Sequence, residues 1–380
     1  MKRRATAEPA DRAAAILQGF DVAGFRCRLV DWFRHQQRDL PWRRDRDPYK
    51  IWVSEVMLQQ TRVETALPYF LRFVERFPTV EALAAAEEAD VLKLWEGLGY
   101  YSRARNLLRG ARQVMEEFGG VLPDDPEELA RIKGIGPYTA GAILSIAYGR
   151  PVPAVDGNVL RVLSRLLLVE EDVQKPGTRR LFTQLAAALV CPDDPSAFNQ
   201  GLMELGALVC TPRAPKCLLC PVREDCRAYA AGRERELPAK GKRKAIPTVD
   251  MVAAVVWRGA AVYVYRRPEG GLLGGLWAFP DGERRADEAW EAAAARILRE
   301  RYGLAVAVSG PLLDVVHTFS HCRWNLRVFQ CAWVAGDGAA PDGRWVEVDK
   351  LDELAFPASH KKIVAALDGE TVSARRGALR

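Results

Sequence analysis

Apolar residues recur at three- and four-residue intervals from about Phe25 to Ala231, with no alternating stretch of any length between them. That period predicts helices throughout. The pattern breaks at Pro41, Pro78, Pro123, Pro126, Gly134, Gly136, Pro151, Pro153, Pro192 and Pro195. Each break favours a helix start or stop, so many short helices are expected rather than a few long ones. The grammar changes beyond Pro247. Residues 251–257 and 261–267 read as two strands about an Arg258-Gly259 turn, and residues 326–334 and 344–348 as further strands. One helix, around Trp290 to Tyr302, interrupts them. The fold class predicted is a multi-domain chain, with an all-α domain over residues 21–231 and an α+β domain over residues 248–368. Residues 232–247 are charged, carry two prolines and have little to bury, which predicts a linker. Residues 1–20 and 369–380 are expected to be disordered.

A 380-residue chain that is 49% hydrophobic and 27% charged can bury two cores and has the composition of a soluble globular protein. No apolar run reaches bilayer-crossing length, and the opening residues MKRRATAEPADRAAA lack the apolar stretch of a secretory leader. A cytoplasmic location is the expectation, with no membrane partner. The net charge of +6 is too small by itself to imply a polyanion partner. Its placement says more: Lys240, Lys242, Arg243 and Lys244 cluster in the linker, and Arg103 and Arg105 stand beside Tyr100 and Tyr101. Basic residues interleaved with aromatics suit nucleic acid, the alternative being a solvated helix face.

Half of the eight cysteines lie in one run, CTPRAPKCLLCPVREDC, with six, two and five residues between Cys210, Cys217, Cys220 and Cys226. Four thiolates this close suit a tetrahedral zinc or a four-iron, four-sulfur cluster. Zinc sites usually come as two separated close pairs, whereas here one close pair is flanked by two single cysteines, which favours the cluster. Such a site also agrees with a reducing compartment. Cys27, Cys191, Cys322 and Cys331 are isolated and read as core residues.

Three further segments could carry chemistry. In KGIGPYTAGAILSI, Gly134 and Gly136 precede a proline that opens an apolar helix. This is a helix-hairpin-helix signature, whose exposed N–H groups can grip a phosphate without reading sequence, or else an ordinary helix–helix turn. Asp156 of AVDGNVL stands just before a helix. It is either a plain cap or a carboxylate that the helix start keeps available to stabilise a cation. Glu55 lies among Trp52, Val53, Val56, Met57 and Leu58. An apolar setting would raise its pKa and make it a proton donor, while a solvent-facing position would leave it ordinary. Gln59 and Gln60 beside it could bond base edges or fill the gap left by a displaced base.

In this order and spacing WVSEVMLQQT, GLGYYSRARNL, GIGPYTAGA, VDGNV and the cysteine run resemble the helix-hairpin-helix DNA glycosylases that carry an iron–sulfur cluster. Among these they are most similar to the MutY-type adenine glycosylases, over about Asp21 to Leu367. The resemblance implies Glu55 as general acid, Asp156 as stabiliser of the sugar cation, and one 4Fe-4S cluster on Cys210, Cys217, Cys220 and Cys226. It places Trp42 and Arg43 of LPWRRD, with Arg38 and Glu204, at the adenine pocket, and Gln60 and Tyr100 in the duplex beside the lesion. The implied partner is double-stranded DNA with adenine opposite 8-oxoguanine or guanine, bound by a monomer. Relatives of the endonuclease III type have a lysine nucleophile two residues after the second hairpin glycine. Here that residue is Tyr138, which cannot form a Schiff base, so base removal without strand cleavage is implied. Tyr138 is then placed to hydrogen-bond near the reacting sugar or the carboxylates.

The second domain, with GGLLGGLWAFPDGE and then ARILRERYGL, resembles the Nudix hydrolase fold. Its acidic cluster is broken, appearing as Arg296, Ile297, Leu298, Arg299, Glu300 and Arg301. One carboxylate cannot hold a divalent cation, so pyrophosphate hydrolysis is not expected. VHTFSH matches the family loop that recognises 8-oxoguanine, with Phe319, Ser320 and His321 at its tip. Two other functions fit parts of the pattern: a glycosylase of the same fold acting on thymine or uracil opposite guanine, and a non-catalytic iron–sulfur protein that binds DNA or senses redox state. The Nudix-like domain speaks against the first, and the pair Glu55 and Asp156 against the second.

Overall fold

The structure, a computed structural model, describes the backbone of residues 9–241, 245–340 and 342–377, with side chains through Leu367. Lys242, Arg243 and Lys244 of the basic stretch lie outside the described residues. The chain forms two compact units, built from the described residues of Met1–Ala85 with Asn106–Arg243 and of Ala86–Arg105 with Lys244–Arg380. Among the described residues no helix is long and apolar enough to cross a membrane.

The first unit is helical. Proline opens the helices Pro48–Leu58, Pro126–Arg131, Pro137–Ile146, Pro176–Leu189 and Pro195–Leu208. Its fixed φ suits the first turn and its missing N–H would have no partner there. Asp47, Asp125 and Asp194 precede three of these prolines and accept from the N–H groups of the first turn. Phe25, Leu29 and Phe33 of the helix Val22–Gln36 pack with Val159 and Leu163 of Gly157–Leu166 and with Phe198 and Leu202 of Pro195–Leu208. Phe25 meets Phe198 edge to face at 6.0 Å. Burial of each such side chain contributes about 1.5–3 kcal/mol.

The ends and the linker differ from expectation. Residues 9–17 are helical, not disordered: Ala13 is buried, and Arg12 pairs with Glu171. The helix Ala358–Gly377 likewise runs on past residue 369. Much of the expected linker is fastened to the first unit. Leu237 is buried and its carbonyl accepts from Arg165 Nε at 2.9 Å, while the Ala239 carbonyl accepts from Val173 N at 3.2 Å. The polar composition of this stretch hid its backbone bonds, which any sequence can make.

The second unit holds a sheet of seven strands among the described residues: β1 (Thr248–Arg258), β2 (Ala261–Arg266), β3 (Trp277–Ala278), β4 (Asp281–Glu283), β5 (Ala305–Thr318), β6 (Arg323–Ala335) and β7 (Arg344–Glu347). The order is β3-β2-β1-β6-β5, with β4 on β1 and β7 on β2. β1 and β6 are parallel, and the other pairs are antiparallel. Val252, Ala254 and Val256 of β1 face the helix Trp290–Tyr302, and Met251, Ala253 and Val255 face Ile363, Val364 and Leu367. A strand covered on both faces reads as an unbroken apolar run. The sequence did not announce β5, because Gly310 and Pro311 fall inside it and its pairing with β6 slips at both places.

Residues 86–105 join this second unit rather than the helical one, so the domain expected as an unbroken 21–231 is interrupted. The Glu96 carboxylate accepts from Phe356 N at 2.9 Å and Lys361 Nζ at 2.6 Å, and Tyr101 Oη donates to the Phe356 carbonyl at 3.3 Å. Helical periodicity reports that this segment is amphipathic, not which core its apolar face meets.

One glycine sets how closely two segments bordering the cleft approach each other. A Cβ on Gly141 would stand 2.2 Å from the Pro153 carbonyl oxygen, so the helix Pro137–Ile146 lies directly on the segment leading to Asp156. A Cβ on Gly136 would meet nothing within 4 Å. Gly141→Ala should therefore cost about 1–3 kcal/mol in thermal or urea unfolding. Gly136→Ala should stay within about 0.5 kcal/mol of the parent.

Candidate active site

Glu55, Tyr138 and Asp156 line one cleft of about 1030 Å³ in the first unit. Glu55 sits on the helix Pro48–Leu58, which is buried almost all round because Ile51, Trp52, Val53, Val56 and Met57 are each at most 3% exposed. The carboxylate is itself only 6% exposed. Burial lifts it to about 7, a hydrogen bond from Tyr138 Oη to Oε2 pulls it back, and the charge of Asp156 adds to the rise. The Tyr138 hydroxyl also stands 3.1 Å from Met203 Sδ, and burial holds its pKa well above the ordinary value.

Asp156 caps the helix Gly157–Leu166, accepting from Val159 N at 2.7 Å through Oδ1 and from Asn158 Nδ2 at 2.7 Å through Oδ2. Burial raises its pKa, and these donors oppose the rise. The cap and the cleft carboxylate are thus one residue. Of the hairpin glycines, Gly134 needs its glycine: φ is +87°, and a Cβ there would meet Asn106 Cβ at 2.9 Å. Gly136 is extended and opens the helix that carries Tyr138. Both border the cleft.

Glu204 is 1% exposed and held by two guanidinium groups. Arg38 donates from Nε at 2.9 Å and Nη2 at 2.8 Å, and Arg43 from Nη1 at 3.1 Å and Nη2 at 2.9 Å. Buried as it is, these bonds bring its pKa down to about 2. Trp42 is buried against Phe70, ring centroids 5.0 Å apart, and borders the same cleft. The cluster Arg38, Trp42, Arg43 and Glu204 therefore forms as a group at the cleft.

Gln60 lines the cleft with φ at +59°, and Tyr100, in the second unit, has φ at +47° and is 46% exposed. Left-handed backbone on a non-glycine residue costs about 1–3 kcal/mol and concentrates at functional positions. The neighbours of Tyr100 behave otherwise than expected. Tyr101 and Arg103 are buried, and Arg103 stacks over Trp95 at 5.4 Å, so these two are structural.

Cys210, Cys217, Cys220 and Cys226 border one void together with Val209 and Pro215. Among the described residues no three His, Cys, Asp or Glu side chains are grouped to hold a single metal ion. Burial pushes Cys220 up to about 12, and Cys210, Cys226 and Cys217 push it the same way. Thiols in that condition keep their protons until a cationic centre displaces them, so the donor set suits a metal-thiolate group. Cys27, expected in a core, is exposed.

Phe319, Ser320 and His321 form the tight connection from β5 to β6, closed by Phe319 N donating to the Cys322 carbonyl at 2.8 Å. Phe319 is wedged between His317 and Trp324, at 4.5 and 4.8 Å, while Ser320 and His321 are exposed. On the helix Trp290–Tyr302, Glu300 lies 3.4 Å from Arg296 and 3.7 Å from Arg285. The one acidic remnant of the broken box is engaged by cations of its own chain.

Residues 53–188 match the HhH-GPD superfamily of base excision DNA repair proteins, and residues 252–366 match the NUDIX domain. The human adenine DNA glycosylase is 35% identical over 92% of this chain and 75% of its own length. That of Schizosaccharomyces pombe is 34% identical over 88% of this chain and 87% of its own. This chain belongs to the adenine DNA glycosylase family. Among solved structures a thermostable thymine-DNA glycosylase aligns with 55% of this chain and 97% of its own, at 27% identity and a TM-score of 0.49.

Several residues at the site went unremarked in the sequence. Asn158 orients Asp156, Met203 touches Tyr138, and Gln200 accepts from Arg43 Nε at 3.1 Å. Arg161 is 8% exposed and donates to the Cys210 carbonyl at 2.8 Å and Asn158 Oδ1 at 2.8 Å. The available signal was two arginines, Arg161 and Arg165, four apart on an otherwise apolar helix.

Replacing Glu204 by glutamine leaves two guanidinium groups facing a neutral amide, which should cost about 3–5 kcal/mol at neutral pH. The sign follows from a folded pKa near 2 against an ordinary 4.5. The carboxylate's contribution is complete above 4.5 and is lost as pH falls toward 2, so parent and variant should converge in acid unfolding curves over that interval.

Proposed function

We propose that this enzyme hydrolyses the N-glycosidic bond of adenine mispaired in duplex DNA, with 8-oxoguanine as the preferred opposite base. The observation that carries the reading is Glu55, buried, hydrogen-bonded by Tyr138 and lifted to about 7, in one cleft with the capped carboxylate Asp156. A glycosidic bond inside a stacked duplex is out of reach, so the adenine must leave the stack, with Gln60 and Tyr100 holding the gap. Glu55, half protonated near neutral pH, delivers its proton to adenine N7 and makes the base a better leaving group. Tyr138 holds the Glu55 carboxyl in line through its hydroxyl. The sugar left behind develops positive charge, which Asp156 stabilises at a position fixed by Val159 N–H and Asn158. Water then completes the hydrolysis. Arg38, Trp42, Arg43 and Glu204 shape the pocket wall on the base side. With tyrosine at position 138 in place of a lysine, the product is an abasic site in an intact strand.

The four cysteines would hold one 4Fe-4S cluster, which braces the loop bearing Arg213, Lys216 and Arg223 against DNA phosphates and takes no part in the bond cleavage. In the second unit, exposed Ser320 and His321 would bond the oxidised base, with Phe319 as their rigid footing. The test is excision on duplexes with adenine opposite 8-oxoguanine, guanine or thymine, strand breaks being scored before and after alkali. Breaks that need no alkali, or no adenine release, would defeat the reading.

Glu55→Gln should lower single-turnover base release by roughly 10²–10⁴-fold while DNA binding is retained. The parent's rate should fall as pH rises through about 7, where Glu55 loses its proton. A flat profile across that pH would remove Glu55 from the role of acid.

Ser320→Ala combined with His321→Ala should cost about 1–3 kcal/mol of discrimination between 8-oxoguanine and guanine. Excision opposite guanine should be unchanged, and equal loss on both substrates would assign the loop another task.

A further inference from the structure

The helix Gly157–Leu166 carries a buried cation that the cleft chemistry leaves unused. Arg165 is 1% exposed, yet among the described residues no carboxylate lies within ion-pair distance of it. Its guanidinium donates to the cysteine loop and the chain that follows. Nε donates to the Leu237 carbonyl at 2.9 Å, Nη1 to the Thr211 carbonyl at 2.8 Å and the Cys210 carbonyl at 3.4 Å, and Nη2 to the Pro212 carbonyl at 3.1 Å. Nη1 also stands 3.2 Å from Cys210 Sγ, and the Arg165 carbonyl faces Cys226 Sγ at 3.6 Å. Arg165 and all four cysteines border the same void.

Carbonyl oxygens satisfy the donors of a guanidinium but leave its charge unbalanced, and an unbalanced buried charge is strongly disfavoured. Arg161, one turn earlier, has Asp156 in its field. Arg165 has no such acid within ion-pair distance among the described residues; Glu234 and Arg223 also border the void, and neither pairs with it. A cluster held by four thiolates carries net negative charge, since the thiolates outnumber the positive charges of the oxidised iron–sulfur core. We infer that Arg165 is the built-in counter-charge of that centre, a positioning residue that balances the cluster electrically while its fork closes the loop from Cys210 to Leu237. The inference rests on the reading of the four cysteines as cluster ligands. It explains why a planar, permanently charged fork occupies the position: a guanidinium can satisfy several carbonyls and still present charge to a sulfur.

The test uses the full-length protein as wild type, Arg165→Lys and Arg165→Gln. The readouts are iron and acid-labile sulfide per chain, the rate of iron loss to a chelator, and the one-electron reduction potential by film voltammetry. Adenine excision is not a readout, so failure of the glycosylase reading would leave the result standing. Zinc in place of iron in the wild type overturns the cluster reading and this inference with it. The lysine variant should keep its cluster at close to the wild-type potential. The glutamine variant should lose iron roughly 10–100-fold faster. The cluster it retains should be reduced at a more negative potential, because a withdrawn positive charge disfavours the added electron. A glutamine variant equal to wild type in potential and iron retention overturns the counter-charge role. So does a lysine variant that sheds iron as fast as the glutamine one, which would make Arg165 a hydrogen-bond clamp alone. Should the glutamine variant fail to fold, the lysine variant decides: a retained cluster at near wild-type potential supports the role, and loss of the cluster overturns it.

Discussion

Withdrawal of Glu55 from water is the constraint on which the arrangement of the cleft depends. A carboxylate on an exposed helix face would be ionised and idle as an acid near neutral pH. Raising it to about 7 requires a helix with almost no polar face, and the helix Pro48–Leu58 is buried almost all round. It also requires that the carboxyl keep a partner, since an unsatisfied polar group at that depth is costly. Tyr138 supplies the hydroxyl, and the helix Pro137–Ile146 that presents it is seated by the absence of a side chain at Gly141. The buried Glu55 carboxyl, its partner Tyr138 and the close backbone approach at Gly141 therefore form one structural requirement.

Much of this was legible in the sequence where a residue's role is local. Asp156 before an apolar helix predicts a cap, and it is one. Four cysteines within seventeen positions predict a shared site, and they surround one void. What the sequence concealed is long-range. Residues 86–105 have the same periodicity as their neighbours, yet Glu96 and Tyr101 bond to residues about 260 positions away in the second unit. Tyr100 and Tyr101 look equivalent in the chain, but the left-handed backbone at Tyr100 turns it outward while Tyr101 is buried. Arg165 looked like one more basic residue on a helix, and its burial depends on a loop that begins 45 residues later.

The second unit keeps the NUDIX fold with arginines spread along the helix Trp290–Tyr302. The sheet is enclosed on both faces, and that enclosure uses the apolar positions of β1 and the helices packed on either side. None of these depends on the acidic box. The arginines at positions 296 and 301 are paired locally, Arg296 with Glu288 at 2.6 Å and Arg301 with the Asp281 carbonyl at 2.9 Å. Neither arginine belongs to the apolar clusters on the two faces of the sheet. The loop from β5 to β6 is then supported by rings packed against the core, with two exposed polar side chains at its tip.

Glu55 and Glu204 border the same cleft and are buried to nearly the same degree, 6% and 1% exposed, yet one lies near 7 and the other near 2. Burial alone would raise both. The difference comes from their partners. Glu204 receives two guanidinium forks, and four charge-assisted bonds outweigh its desolvation. Glu55 receives one neutral phenol and faces the charge of Asp156, which adds to the rise. The distribution of two arginines and one tyrosine thus decides which carboxylate is a fixed anion in the cleft wall and which can hold a proton near neutral pH.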